Sequence, residues 1–364
     1  MKIFFVIDSL AKGGRERRCT QLIKGLNERE INDIHLILFD DIIEYSEIYQ
    51  LNVELHVLRR EHSKDLKIYS KLKNLIKEKK PDIVFSWSIL GTFWLSLIRI
   101  SHNFNFVSGY VTDSIAPSKF SIKNLTRLLS FYASKWIVGN SNAGLNAYKI
   151  PFKKRVLIYN GFDNERLATI VDKKIVRKQY DIETKYVVTM VATFSKYKDY
   201  DTYFSSAQRI LQYRDDVTFL AVGGGELLDY YTNKVTIDKK QGIIFTGKIN
   251  NVESVINASD VCVLTTYSEG VSNFIVESMI IGKPVIATNE GGTKEIIKEN
   301  ETGYLIAPKD DKELETKINL LIDNSLLRHN ISNNAREFAM QKFDLKNMCD
   351  EYLKLFYSVI DKNF

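Results

Sequence analysis

The sequence predicts an α/β protein built from two doubly wound, mostly parallel sheets. Three observations carry this expectation. Short apolar, β-branched runs alternate with segments of helical apolar spacing along most of the chain. At 364 residues, with 45% hydrophobic residues, the chain is long enough for two packed cores. The stretch from Tyr267 to Glu277 reads as the loop and helix after a buried strand, which is where open α/β sheets bind ligands.

The first half opens on a strand over residues 2–8. A loop carrying Gly13 and Gly14 follows. A helix over 15–26 is marked by Cys19, Leu22, Ile23 and Leu26. Strand, glycine loop and helix together form a place where a phosphate can approach backbone N–H groups. Further strands are predicted at 34–39, 53–58, 82–87, 105–111, 136–140 and 155–159. Helices are predicted at 65–80, 89–100 and 125–133. Asn160-Gly161-Phe162-Asp163 reads as a tight turn that closes this half. Residues 165–184 are charged and weakly patterned, as expected of a linker.

The second half predicts strands at 186–191, 218–222, 242–246, 258–264 and 284–288. Helices are expected at 272–281, 314–323, 325–341 and 348–360. Glu269 falls in the loop after the 258–264 strand. Gly270 and Ser272 let backbone come close to a ligand, and Ser272 is a candidate N-cap. Glu277 lies in the following helix, where a carboxylate can accept two vicinal hydroxyls. The pattern suits a polyhydroxyl ligand that also carries phosphate. Either glutamate alone would read as a solvated surface residue.

The run Ser268-Glu269-Gly270, Asn273 and Glu277, then Gly282-Lys283-Pro284 and Glu290-Gly291-Gly292, resembles the signature of family 4 (group 1) retaining glycosyltransferases. The likeness is strongest over residues 180–310. It implies the GT-B arrangement, two Rossmann-like domains facing across a cleft. Residues 1–164 would bind the acceptor and 165–344 the nucleotide sugar. Residues 345–364 would cross back to the first domain. By this resemblance Glu269 contacts the donor sugar and Lys198 the diphosphate. Gly13, Gly14, Gly270, Val271, Ser272, Asn273 and Phe274 border the donor. Backbone at Lys248 and Ile249 holds the base, and Glu277 holds the ribose. Four places depart from the family pattern. Arg15 stands where Ala is usual, and Thr193 takes the place of a phosphate-gripping Arg, with Lys196 nearby. Ser86-Trp87-Ser88 and Thr112-Asp113 replace His-containing patterns. Asp113 is a candidate catalytic contact or simply a turn residue.

Composition narrows the rest. Three dispersed cysteines predict a reducing compartment and no disulfide framework. The five histidines, His35, His56, His62, His102 and His329, show no metal-ligand spacing, and no metal or other cofactor is expected. The chain opens on a strand, so no signal peptide is expected and a cytoplasmic site is. The absence of Gly-x-Gly-x-x-Gly argues against a dinucleotide dehydrogenase.

The expected reaction moves a sugar from a nucleotide sugar, with UDP ahead of GDP. The acceptor is a glycan or lipid-linked oligosaccharide of a bacterial surface polysaccharide. Three alternatives stay open: a UDP-sugar 2-epimerase of the same fold, a non-catalytic nucleotide-sugar-binding subunit, and a nucleic-acid or membrane scaffold that uses the basic first half. Nucleic acid is not an expected partner.

Residues 1–165 hold 25 Lys and Arg against 17 Asp and Glu. An anionic inner-membrane surface is therefore a candidate contact through residues 118–135, with Lys119, Lys123, Arg127 and Lys135. The opposing reading places the apolar side of that helix on the sheet, because every helix of this fold must bury one face.

Overall fold

The computed structural model describes residues 1–61, 65–235 and 242–360. His62 lies outside them, as do the last four residues of the expected C-terminal segment. The chain divides into two compact units, Met1–Gly161 with Leu345–Phe364, and Phe162–Asp344.

The first unit begins with β1 (Ile3–Ile7), α1 (Gly14–Asn27), β2 (Ile34–Leu38) and β3 (Glu54–Val57). It continues through α2 (Lys67–Lys79), β4 (Ile83–Ser86), α3 (Ile89–Ser101) and β5 (Phe106–Val111). Next come α4 (Ile122–Ala133), β6 (Trp136–Gly139), α5 (Asn142–Ala147) and β7 (Arg155–Leu157). The seven strands are parallel, in the order β3-β2-β1-β4-β5-β6-β7. All five residues of β1 are buried, as a central strand covered on both faces requires. Phe4 and Val6 pack with Ile68, Leu72 and Ile76 of α2 on one face. Phe5 and Ile7 join Phe85 and Trp87 on the other.

The second unit opens with α6 (Lys173–Gln179), β8 (Tyr186–Val191), α7 (Tyr200–Leu211), β9 (Val217–Val222) and α8 (Leu228–Lys234). It runs on through β10 (Ile243–Gly247), α9 (Val252–Ala258), β11 (Val261–Leu264) and α10 (Asn273–Ile280). It closes with β12 (Val285–Thr288), β13 (Tyr304–Ile306), α11 (Asp311–Asp323) and α12 (Ser325–Lys342). Its six parallel strands are ordered β10-β9-β8-β11-β12-β13. The last helix, α13 (Leu345–Ile360), belongs to the first unit. Its Tyr352 and Phe356 pack edge-on against Phe85, at 5.6 and 6.0 Å between ring centroids. Burying an aromatic side chain of this kind is worth about 1.5–3 kcal/mol, which fastens the chain terminus to the first core.

Three expectations are corrected. Residues 258–260 are not strand: Ala258 ends α9, and β11 starts at Val261. The Asp260 carboxylate instead accepts from the Val187 N–H at 2.9 Å and pins β11 to β8.

The segment 165–184 is not an open linker. Its 3-10 turn Asn164–Thr169 and α6 lie on α9. Val176 and Ile182 enter the core with Val187, Leu220 and Val255. Two apolar anchors among many charges were enough to dock it.

The third correction concerns α4. It buries Thr126 and Ser130 and leaves Ile122, Leu125, Leu128 and Tyr132 exposed. The buried hydroxyls are satisfied: Thr126 donates to the Ile122 carbonyl at 2.9 Å and Ser130 to the Arg127 carbonyl at 2.7 Å. Small, self-satisfied side chains make this the face that packs against α3.

Candidate active site

In an open parallel sheet, the ligand crevice forms outside the carboxyl ends of the two strands where the order reverses. In the second unit those strands are β8 and β11. Residues 192–199 follow β8, and residues 265–272 follow β11. The two loops are laced together. Lys198 bridges Thr266 in an antiparallel pair, and the Tyr267 N–H donates to the Tyr197 carbonyl at 3.0 Å.

Asp199 is the buried fastening. Its carboxylate caps α7 by accepting from the Thr202 N–H at 3.2 Å and hydroxyl at 2.7 Å. The same carboxylate accepts from the Tyr267 hydroxyl at 2.8 Å. Burial, and then the hydrogen bond to Asp199 and its charge, push the Tyr267 phenol well above its ordinary range, so it stays a hydrogen-bond donor.

This lacing sets the Lys198 ammonium against the Glu269 carboxylate, to which it donates. Both side chains are about four-fifths buried. A third loop joins from β12: the Gly292 N–H donates to the Glu269 carbonyl at 2.9 Å. Gly291 there has φ of 58°, a left-handed conformation that suits glycine.

Gly270, Val271 and Ser272 are buried as the chain enters α10. Ser272 stands at the N-cap position, but its side chain makes no capping hydrogen bond. Asn273 is half-buried and Phe274 buried.

Glu277 is 4% exposed, and a buried carboxylate needs a counter-charge. Arg166 supplies it, donating to Glu277 Oε1 at 3.0 Å and also to the buried Glu253 of α9. Its guanidinium lies 4.9 Å from the centroid of the Phe162 ring. Reading the sequence as a linker missed this arginine. The available signal was a cation three residues after the Asn-Gly turn segment, close in space to two glutamates but 87 and 111 residues from them in sequence.

The remaining donor candidates of the second unit lie in the loops after β8, β9 and β10. Thr193 is exposed in the loop after β8. Lys196 is exposed too, and its ammonium lies 5.4 Å from the centroid of the Tyr197 ring. The glycine loop after β9 presses on the loop after β8. Gly223 and Gly225 have φ of 144° and 145°, and a Cβ at Gly223 would stand 2.0 Å from the Ala192 carbonyl oxygen. Lys248 and Ile249 follow β10 and line a cavity of about 360 Å³ with Val176, Tyr180, Ser254 and Val255.

Gly13, Gly14 and Asp113 lie in the first unit. Gly13 and Gly14 enter α1 after β1, which together with β4 forms that sheet's own reversal point. The Tyr45 hydroxyl donates to the Gly13 carbonyl at 2.9 Å. Asp113 accepts from the Ile115 N–H at 2.9 Å, Lys123 at 3.1 Å and the Tyr148 hydroxyl at 3.2 Å. Its carboxylate therefore anchors the turn before α4.

The histidines hold one surprise. His35 and His56 come together with Glu54 on adjacent strands, their ligand atoms within 4.8 Å of one another. The ring planes differ by only 11°, and His35 Nδ1 lies 2.9 Å from His56 Nε2. The same two nitrogens each lie 3.3 Å from an oxygen of the Glu54 carboxylate, so the three groups face one another across the β2–β3 pair.

Residues 172–338, most of the second unit, match the family model for glycosyl transferases group 1. The chain carries a group 1 glycosyltransferase domain and is a glycosyltransferase.

An Escherichia coli UDP-Gal:alpha-D-GlcNAc-diphosphoundecaprenol alpha-1,3-galactosyltransferase is 27% identical over 82% of this chain and 80% of its own. A Campylobacter jejuni N,N'-diacetylbacillosaminyl-diphospho-undecaprenol alpha-1,3-N-acetylgalactosaminyltransferase is 25% identical over 93% and 94%. Among solved structures, Anabaena HepE in complex with UDP-glucose superposes with a TM-score of 0.86 at 22% identity, over 98% of this glycosyltransferase and all of HepE. That likeness shows the GT-B fold.

Proposed function

We propose that the second unit binds a nucleotide sugar, a UDP-sugar ahead of a GDP-sugar, and that the sugar passes with retained configuration to a glycan or lipid-linked acceptor in bacterial surface polysaccharide synthesis. One observation carries the reading: a lysine and a glutamate are paired in the two loops at the sheet's reversal point. A donor that presents a diphosphate beside sugar hydroxyls offers a partner to each. Lys198 meets the charge that grows on the leaving diphosphate, with the backbone at the start of α10 and the glycine loops adding N–H groups. Glu269 holds sugar hydroxyls and stabilises oxocarbenium-like charge. Glu277, held by Arg166, takes the ribose hydroxyls, and the backbone at Lys248 and Ile249 takes the base.

The activities named for its relatives favour this reading. Two act on diphospho-undecaprenol-linked sugars, and a third is a Staphylococcus aureus capsular polysaccharide biosynthesis glycosyltransferase. No helix among the described residues is long and apolar enough to cross a membrane. Work on a lipid-linked acceptor then calls for a peripheral position on the inner face of the plasma membrane.

The test is incubation with radiolabelled UDP- and GDP-sugars. Slow release of free sugar from one donor, accelerated by a suitable acceptor, is the expected result. Interconversion of sugar nucleotides would indicate an epimerase, and binding without turnover a non-catalytic subunit. Transfer is expected to be unchanged in EDTA, because Lys198 and backbone N–H groups meet the diphosphate charge. Loss of activity in chelator, restored by Mg²⁺ or Mn²⁺, would show that a metal shares that task.

A further inference from the structure

We infer that the exposed face of α4 is a docking surface for an anionic lipid bilayer. The inference deepens the proposed function by naming the surface that would bring the enzyme to a lipid-linked acceptor. It rests on burial and charge in the first unit alone.

A surface helix normally turns its apolar stripe to the core. In α4 the stripe is turned outward. Ile122, Leu125, Leu128 and Tyr132 recur at helical spacing and all are exposed, Tyr132 by 90%. Phe120, just before the helix, is fully exposed. Contiguous exposed apolar surface of this kind marks an interaction site.

A second strip runs alongside. Arg127 of α4 donates to the Tyr148 carbonyl at 3.1 Å, and Lys154 donates to the Ser134 carbonyl at 2.6 Å. Residues 148–154 are therefore tied to the helix at its middle and at its C-terminal end. They carry Phe152, 85% exposed, between exposed Lys149 and Lys153.

Charge selects the partner. From residue 114 to residue 162 the sequence has no Asp or Glu and eight Lys or Arg. Outward aromatic and aliphatic side chains, on a stretch of chain that carries cations and no acidic residue of its own, match the boundary between acyl chains and anionic headgroups. A helix so placed lies in the plane of the interface.

The cations that face lipid are not the set that sequence spacing suggests. Lys123 is paired with Asp113. Arg127 lies over the Phe131 ring at 5.1 Å, and Lys135 donates to the Ser358 and Val359 carbonyls. Lys119, Lys149 and Lys153 are exposed, and Phe120, Tyr132 and Phe152 are the inserting anchors.

The experiment is co-sedimentation of the full chain with vesicles, without donor or acceptor. One set is phosphatidylcholine alone, and the other contains phosphatidylglycerol. Binding is expected to the anionic set only. It should fall steeply at about 1 M salt, where the Debye length is about 3 Å. Each cation near an anionic surface is worth about a fivefold change in partitioning, so Lys119, Lys149 and Lys153 all changed to Glu should lower it by about 100-fold or more. Phe120→Ser with Phe152→Ser should also release the protein while leaving donor hydrolysis unchanged. These positions are exposed, so the variants are expected to fold.

Equal binding to both vesicle sets, or anionic binding that the lysine variant retains, would overturn the inference. So would a concentration-dependent dimer, abolished by Leu125→Glu, in a protein that ignores vesicles. A protein that hydrolyses its donor yet binds no lipid would lose only the docking surface. One that binds lipid but no nucleotide sugar would lose only the proposed reaction.

Discussion

Glu269→Gln is expected to lower sugar transfer by about 10²–10³-fold while leaving the protein folded. That is the scale on which removing one preorganised charge from a transition state acts, about 2.7–4 kcal/mol. The side chain is partly exposed at a loop, and its backbone is held independently by the Gly292 N–H. The amide keeps the shape and one acceptor but removes the charge that would face a cationic sugar. Affinity for UDP should change little, because the nucleotide is assigned to Glu277 and the backbone at Lys248 and Ile249. Initial rates under donor saturation, alongside calorimetric titration with UDP, separate the two effects. Turnover within a few-fold of the parent would remove Glu269 from the mechanism.

The second large effect is expected at Arg166. Arg166→Ala leaves Glu253 and Glu277 buried without the guanidinium they share. Breaking a buried ion pair from one side costs about 3–5 kcal/mol, since the remaining charge stays desolvated. Glu277→Gln in the same background should return part of that loss, because it removes one of the two stranded charges.

The tryptophans allow the effect to be located. Trp87, Trp94 and Trp136 all lie in the first unit, so their fluorescence reports that unit's unfolding. A lowered transition is expected by circular dichroism, with the change assigned to the second unit by its absence from the early tryptophan signal. A variant as stable as the parent would mean that Arg166 is not the counter-charge for these carboxylates.

Local pattern carried the elements that position the site. The apolar runs at β8 and β11, with charged loops after each, place Lys198 and Glu269 at strand ends from sequence alone. Sequence could not show that these strands are neighbours at the reversal point, because pairing across a parallel sheet leaves no fixed spacing.

The same limitation hid His35 and His56, which meet only because β2 and β3 run side by side. Arg166 was hidden by composition: a charged segment with two apolar anchors looks like a linker until it docks. In α4 the period showed which residues share a face but not which face the fold buries. Thr126 and Ser130 hydrogen-bond to their own helix, so the polar face could pack at little cost, and the apolar one was left outside.

The central claim is that the loops after β8, β10 and β11 form the donor site. Amide hydrogen exchange with and without a UDP-sugar tests it most directly. Peptides covering residues 193–199, 247–250 and 268–277 are expected to exchange more slowly once the donor is added, with the strongest protection at the start of α10. Unchanged exchange in all three at saturating donor, or protection confined to other peptides, would contradict the account.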